Sequence, residues 1–216
     1  MWTKITAFFT LNKRCLICGE KLTTKTIYAK THICRYCYRK LPFSYRRFQI
    51  LDVSGLAIYN YQGIIKDSLL SLKANGDSEI AKLFLEPIKE YLKSEYFGYT
   101  LLPIPSTKTS NKNRGFNHVI EIYKSLDLPI DDVLIKKKEW KQSDQRFKNR
   151  FQVRNILTLN GEVSQKKKYL LVDDIVTTGE TLKAAIQLLA KNGVHKVKIL
   201  VIAKRQKSPS RARINT

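Results

Sequence analysis

The chain has 216 residues, 43% of them hydrophobic, and a formal net charge of +22. That length and composition support one good core plus a small appendage, so a core is expected. No apolar run approaches the ~20 residues that a membrane-spanning helix needs. The cation excess attracts polyanions, with nucleic acid the commonest partner and an anionic membrane face the alternative; a lysine-rich proteome with no special partner is the third reading.

Met1 to Thr10 carries one early lysine, a short apolar patch and no small-residue cleavage site. It reads as a mature cytoplasmic N-terminus, not a signal peptide. Two CxxC pairs follow, Cys15 with Cys18 and Cys34 with Cys37, and these are the only four cysteines. The spacing fits a zinc ribbon of the zinc-finger class: each pair forms a knuckle, and the linker runs as a hairpin. Tetrahedral thiolate binding would supply on the order of 10 kcal/mol to a segment too small for its own core. Two disulfides would need an oxidising compartment, to which nothing points. A redox role fits less well, because there are two pairs and neither is expected to open a helix. His32 is a ligand by type, but four cysteines complete the shell.

Leu41 to Phe48 reads as a joint between the ribbon (residues 1–45) and the main domain (46–205). Leu56 to Tyr61 is a strand closed by Gly63. Ile65, Leu69 and Leu72 give helical spacing up to Lys73, and Asn75-Gly76-Asp77 breaks it. Glu79 to Tyr96 is a second helix that Pro87 kinks or divides. Thr100 to Pro105 is a short strand. Ser106 to Asn113 is a polar, cationic loop, suited to a pyrophosphate or simply solvated, and Arg114 to His118 opens a helix reaching about Leu126. Val133 to Ile135 is brief and apolar. Lys136 to Arg154 is strongly cationic, with Trp140, Phe147 and Phe151 interleaved. Phosphates pair with cations and bases stack on rings, so a single nucleic-acid strand fits this run. A solvated charge run with core rings is the other reading. The tail, 206–216, is basic and reads as disordered.

Tyr169 to Val172 is a short apolar run, as in a strand buried on both faces. Asp173 and Asp174 follow at its carboxyl edge, then a hydroxyl-rich turn. From Thr181 a helix is predicted, with Leu182, Ile186 and Leu189 on one face and Gly193 as its stop. Val197 to Ala203 is a further strand. Gly179 lets backbone approach a ligand closely. The hydroxyls of Thr177, Thr178 and Thr181 and the free N–H groups of a helix start make a phosphate cradle. Asp173 and Asp174 suit the vicinal hydroxyls of a sugar but repel phosphate, so phosphate and pentose should lie end to end. An ordinary βα turn with acidic residues is the alternative.

That stretch resembles the phosphoribosyl pyrophosphate loop of type I phosphoribosyltransferases. The order of features is more specific: the four-cysteine ribbon, Tyr61-x-Gly63, Leu72-Lys73-x-x-Gly76-Asp77, Pro103-Ile104-Pro105, Arg114-Gly115-Phe116-Asn117, then Leu171 to Leu182. Together these resemble the ComF (ComFC) competence-protein family from about Cys15 to Arg205. The resemblance implies an α/β fold, a parallel-sheet type I phosphoribosyltransferase-like domain behind a small zinc ribbon. It implies a role in DNA uptake during natural transformation, handling incoming single-stranded DNA on the cytoplasmic side, with recruitment to the membrane uptake machinery. A ComFA-like helicase or translocase is the implied partner.

By the same resemblance, phosphoribosyl pyrophosphate or a nucleotide would lie along Asp173, Asp174, Ile175, Val176, Thr177, Thr178, Gly179, Glu180 and Thr181. Asp173 and Asp174 would hold the ribose, Mg2+ would arrive with the pyrophosphate, and Arg114 would offset charge on the leaving group. Lys112, Arg114, Lys137, Lys141, Arg146, Lys148 and Arg150 are the candidate nucleic-acid contacts. One departure stands out. Hypoxanthine-type enzymes carry an acid four positions beyond the first acid of the pair, and that position here is Thr177. Three functions stay open: a DNA-handling protein that binds the phosphoribosyl ligand, an active phosphoribosyltransferase using an unidentified amine or nucleobase, and a zinc-stapled adaptor for a translocation partner.

Overall fold

The computed structural model describes residues 13–28, 31–75, 78–106, 116–136 and 157–205. Its centre is a five-stranded sheet built from β1 (Phe43–Ile50), β2 (Val53–Asn60), β3 (Tyr99–Pro103), β6 (Lys168–Val176) and β7 (Val197–Lys204), in the spatial order β1-β2-β7-β6-β3. β2, β7, β6 and β3 are mutually parallel, and β1 adds to the edge antiparallel. Two shorter strands, β4 (Leu134–Lys136) and β5 (Leu157–Leu159), form a separate antiparallel pair.

The helices are α1 (Arg35–Arg39), α2 (Gly63–Asn75), α3 (Lys82–Leu85), α4 (Lys89–Glu95), α5 (His118–Tyr123) and α6 (Glu180–Lys191). Pro87 does divide its segment: it sits in a 3-10 turn, Glu86–Ile88, between α3 and α4. A proline has no N–H for the helical ladder, so the chain tightens there and restarts. Both faces of the sheet are covered, which is why Tyr169 to Val172 is apolar without alternation. On one face Leu170, Val172, Leu200 and Ile202 pack against α2 to α5. On the other, Leu171, Ile199 and Val201 pack against Leu182, Ala185, Ile186 and Leu189 of α6, with β4 and β5 alongside. Each fully buried leucine or isoleucine contributes about 1.5–3 kcal/mol.

Two expectations are corrected. Leu41 to Phe48 is not a mere joint, because most of it lies in β1, where paired arginines and a lack of apolar alternation hide the strand. Backbone pairing with β2, not side-chain pattern, makes it a strand. The acids also do not follow β6 but lie within it, since pairing with β7 continues through Asp173, Ile175 and Val176.

The ribbon shares the main core. Cys15, Leu22, Ile33, Cys34 and Leu41 belong to the same buried cluster as Ile58 and Leu69. Rings run from one to the other: Tyr38 to Phe43 at 5.5 Å and Phe43 to Tyr59 at 4.9 Å between centroids. Among the described residues no helix is long and apolar enough to cross a membrane.

Candidate functional site

The metal centre is built by local turns. The N–H of Gly19 donates to the carbonyl of Cys15 at 2.9 Å and closes the first knuckle. In the second, Cys34 caps α1, accepting from the N–H of Cys37. So this CxxC does open a short helix, contrary to expectation. The cap has its sulfur facing the other three thiols and not alone at a helix start. All four sulfurs lie within 4.8 Å of one another, and Cys18 Sγ to Cys34 Sγ is 3.8 Å. Four ligands about 2.3 Å from a zinc at tetrahedral angles would be about 3.8 Å apart, so the donor set fits Zn2+. The N–H of Cys34 also donates to Cys15 Sγ at 3.4 Å. Burial alone would raise the Cys15 thiol, but backbone N–H groups outweigh it and lower it to about 7. His32 stands outside the shell. Its Nδ1 and its backbone N–H both bond the Glu86 carboxylate, at 2.9 and 3.0 Å, and so fasten the ribbon to the main domain.

The second site lies where β6 gives way to α6. Gly179 has φ +79°, a conformation that favours glycine, and a Cβ there would press on the tip of Ile50, Cδ1 at 2.8 Å. Thr177, Thr178 and Glu180 are exposed, and Thr181 is half-buried. α6 starts directly after Gly179, whose carbonyl accepts from Lys183 at 2.8 Å. Beside the loop, Arg205 donates its backbone N–H to the carbonyl of Val176 at 3.0 Å. Arg205 also lines a polar cavity of about 200 Å3 with Asn60, Tyr61, Gln62 and Lys66. This carboxyl edge of a parallel sheet is where ligands of open α/β sheets bind.

The two acids are treated differently. Neighbouring residues of a strand face opposite ways, and Asp174 is the buried one. Its Oδ2 takes an ion pair from Lys73 of α2 and a 3.0 Å contact from His118 Nε2 of α5, and its Oδ1 accepts from Ile175 N–H at 2.7 Å. Burial alone would raise this carboxyl. The His118 bond and the Lys73 charge outweigh burial and hold it below the usual carboxylate range. Asp173, half-buried, is pushed well above that range by burial and then by the Asp174 charge. Its Oδ1 accepts from Asp174 N–H at 2.9 Å. Beneath the pair, the buried Tyr123 hydroxyl reaches the carbonyls of Asp173 and Leu200, each at 2.9 Å, and ties β6 to β7. His118 Nδ1 in turn meets Ser106 Oγ at 3.2 Å, so the chain of contacts runs Ser106, His118, Asp174, Lys73.

Side-by-side presentation of both carboxylates to one sugar is therefore not the arrangement seen here. The structure gathers Asp173 to Thr181 in one segment, with Asp174 turned to protein partners. Lys73, His118 and Tyr123 are the site residues that sequence reasoning missed, and Ser106 was read only as the start of the pyrophosphate loop. Lys73 stood in a quoted motif without a role, and His118 was noted only as a helix start. Arg114, Lys112, Lys137, Lys141, Arg146, Lys148 and Arg150 lie outside the described residues, as does Gly76-Asp77.

Comparison with known proteins places this geometry in a lineage. Residues 112–215 match the phosphoribosyl transferase domain family. The chain is 29% identical over 196 residues to competence protein ComFC of Bacillus subtilis, covering 84% of this chain and 79% of the relative. It is 32% identical over 148 residues to competence protein ComFC of Streptococcus pneumoniae, covering 68% and 67%. Among solved structures it is similar to a hypoxanthine phosphoribosyltransferase from Staphylococcus aureus, with TM-score 0.35, 17% identity and coverage of 68% and 70%. It is also similar to adenine phosphoribosyl transferase from Trypanosoma brucei, with TM-score 0.38, 12% identity and coverage of 74% and 87%. The cysteine cluster, the mostly parallel sheet with its acid-and-threonine turn and the two competence relatives agree: this chain belongs to the ComFC competence-protein family, with a type I phosphoribosyltransferase-like fold.

Proposed function

We propose that the protein handles incoming single-stranded DNA during natural transformation, and that its sheet edge binds phosphoribosyl pyrophosphate or a nucleotide. The observation that carries the ligand reading is Gly179. Its left-handed backbone turns the chain from β6 into the start of α6, within a segment that carries three threonines and follows an acid. In this reading the 5′-phosphate sits on Thr177 to Thr181 and Asp173 meets a ribose hydroxyl. Mg2+ arrives bound to the pyrophosphate as part of the substrate. Asp174 becomes available to the second hydroxyl when Lys73, itself partly exposed, swings from the carboxylate toward the pyrophosphate. Arg114 adds charge on the leaving-group side. Zn2+ on Cys15, Cys18, Cys34 and Cys37 holds the ribbon shape and takes no part in the chemistry.

Turnover would form a C1′–N bond and break C1′–O, with the electron pair leaving on pyrophosphate. Thr177 offers no carboxylate to take a proton from a purine, so an already nucleophilic amine is the acceptor this loop favours. Incubation with phosphoribosyl pyrophosphate, Mg2+ and a panel of amines and nucleobases should then release pyrophosphate, and Asp174→Ala should abolish the release. No release with any acceptor, alongside intact ligand binding, would mean a binding role only.

The DNA reading rests on family membership and on the +22 charge. The strand would contact Lys112, Arg114, Lys137, Lys141, Arg146, Lys148 and Arg150, and a ComFA-like translocase would deliver it at the cytoplasmic face of the uptake machinery. Affinity for an oligonucleotide should fall steeply with salt. Replacing Lys148 and Arg150 should flatten the log–log slope by about 1.4, roughly 0.7 per lost phosphate contact. An unchanged slope would remove this segment from the contact surface.

A further inference from the structure

A sizeable cavity lies away from the acid loop. It encloses about 730 Å3 and is lined by the first halves of β2 and β7, by β1 and by α4. That volume suits a ligand the size of a nucleotide. Its walls combine rings with cations. Tyr45 and Tyr91 are large side chains left 44% and 56% exposed, where burial would be expected. Arg47 and Lys198 line the same cavity. Phe48 forms part of the lining only because the neighbouring position is Gly55, where a Cβ would meet the Phe48 ring at 2.5 Å.

The backbone is bent to present Tyr45. β1 and β2 slip register between Phe43 and Arg46, and Tyr45 sits at φ +44°. A bulky residue in that region costs of order 1–3 kcal/mol, and such strain collects where a side chain must be aimed. Phe43 backs the Tyr45 ring, parallel to within 4° at 5.5 Å. Lys198 is poised over Tyr96 and Tyr99 at 5.7 and 5.5 Å, and its link to Glu95, the one acid in the lining, is long at 3.6 Å. Exposed rings with flanking cations select a π-face carrying negative charge, meaning a phosphorylated base.

The geometry points to a second nucleic-acid site: a base of a single strand stacks on Tyr45 and Tyr91 while Arg47 and Lys198 hold the adjoining phosphates. This rests on the strand-handling reading above but uses none of the residues assigned there. A strand is favoured over a free nucleotide because a further cation, Lys168, stands over the same Tyr99 ring as Lys198, at 5.9 Å.

The test uses the full chain with a labelled oligothymidylate and an abasic oligomer of equal length. The native protein should prefer the base-bearing strand. The double variant Tyr45→Ala/Tyr91→Ala should lose roughly tenfold of that affinity and bind the abasic strand as before. Tyr45→Phe/Tyr91→Phe should behave as native, because the ring is kept. Photocrosslinking to a 5-bromodeoxyuridine strand should mark Tyr45 or Tyr91. A base preference that survives in the alanine variant, or crosslinks confined to other segments, would overturn the site while leaving strand binding intact. Thymidine monophosphate competing as well as the oligomer would overturn the strand as occupant. A native protein that binds neither oligomer would overturn the strand-handling reading itself.

Discussion

The ribbon and the acid loop solve the same problem, holding ligand-type atoms in place, by opposite means. In the ribbon each ligand is set by its own neighbours: Gly19 turns the first pair, Cys34 caps the helix that carries Cys37, and the sulfurs meet within 4.8 Å. At the sheet edge, Asp174 is set by residues far off in sequence, Lys73 on α2 and His118 on α5. A metal centre can be local because the ion itself supplies the binding energy. A carboxylate that must stay charged while buried needs other elements to bring cations to it. The first arrangement is legible as spacing, the second only as a fold.

The largest effect should come from breaking the local centre. Cys34→Ser should abolish binding of the one zinc per chain that metal analysis should find in the native protein. Because the ribbon packs into the main core, it should also lower Tm by on the order of 10 °C or more. A folded, zinc-free protein of unchanged Tm would show that the ribbon and sheet are energetically separate. Next comes the long-range centre. Lys73→Met leaves Asp174 with His118 and the Ile175 N–H but without its lysine charge, and should cost about 2–4 kcal/mol in chemical denaturation. A cost under half a kcal/mol would mean that Lys73 is a surface lysine which happens to lie near.

Gly179→Ala should cost about 1–3 kcal/mol through the positive φ and the contact with Ile50. The smallest change sharpens the comparison most, because its sign is reversed. Asp173 is raised in the folded chain, so ionising it opposes folding at every pH above its unfolded value near 3.8. Asp173→Asn keeps an oxygen for the Asp174 N–H and removes that cost. It should raise Tm by roughly 2–4 °C at pH 7, and the gain should vanish as pH falls below that value. Asp174 has the opposite sign: its lowered carboxyl stabilises the fold above its unfolded value, and that support drains away in acid. An Asp173→Asn variant less stable than native at pH 7 would reverse this assignment.

Much of the fold was legible because it rests on local signals. Tyr169 to Val172 and Ile199 to Ala203 are apolar because both faces of their sheet are covered, and Leu182, Ile186 and Leu189 mark the face of α6 that does the covering. Pro87 announced its break. β1 was hidden because Arg46 and Arg47 are both exposed and its partner supplies the pairing. β5 was hidden because three residues, Leu157 to Leu159, are too few to show a period. At the site, the loop's residue types were readable, but the direction of Asp174 was not. Nothing near residue 174 signals that Lys73 and His118 will arrive on its face. Tyr45 was invisible for the same reason, since a bulge is a property of two strands and not of one.

Isothermal titration of phosphoribosyl pyrophosphate with Mg2+ into the native protein and into Asp173→Asn tests the central claim most directly. The expected result is one site per chain in the native protein, and at least tenfold weaker binding in a variant that is no less stable. Absence of binding to the folded native protein, or equal affinity in both, would contradict the assignment of this turn to a phosphorylated pentose.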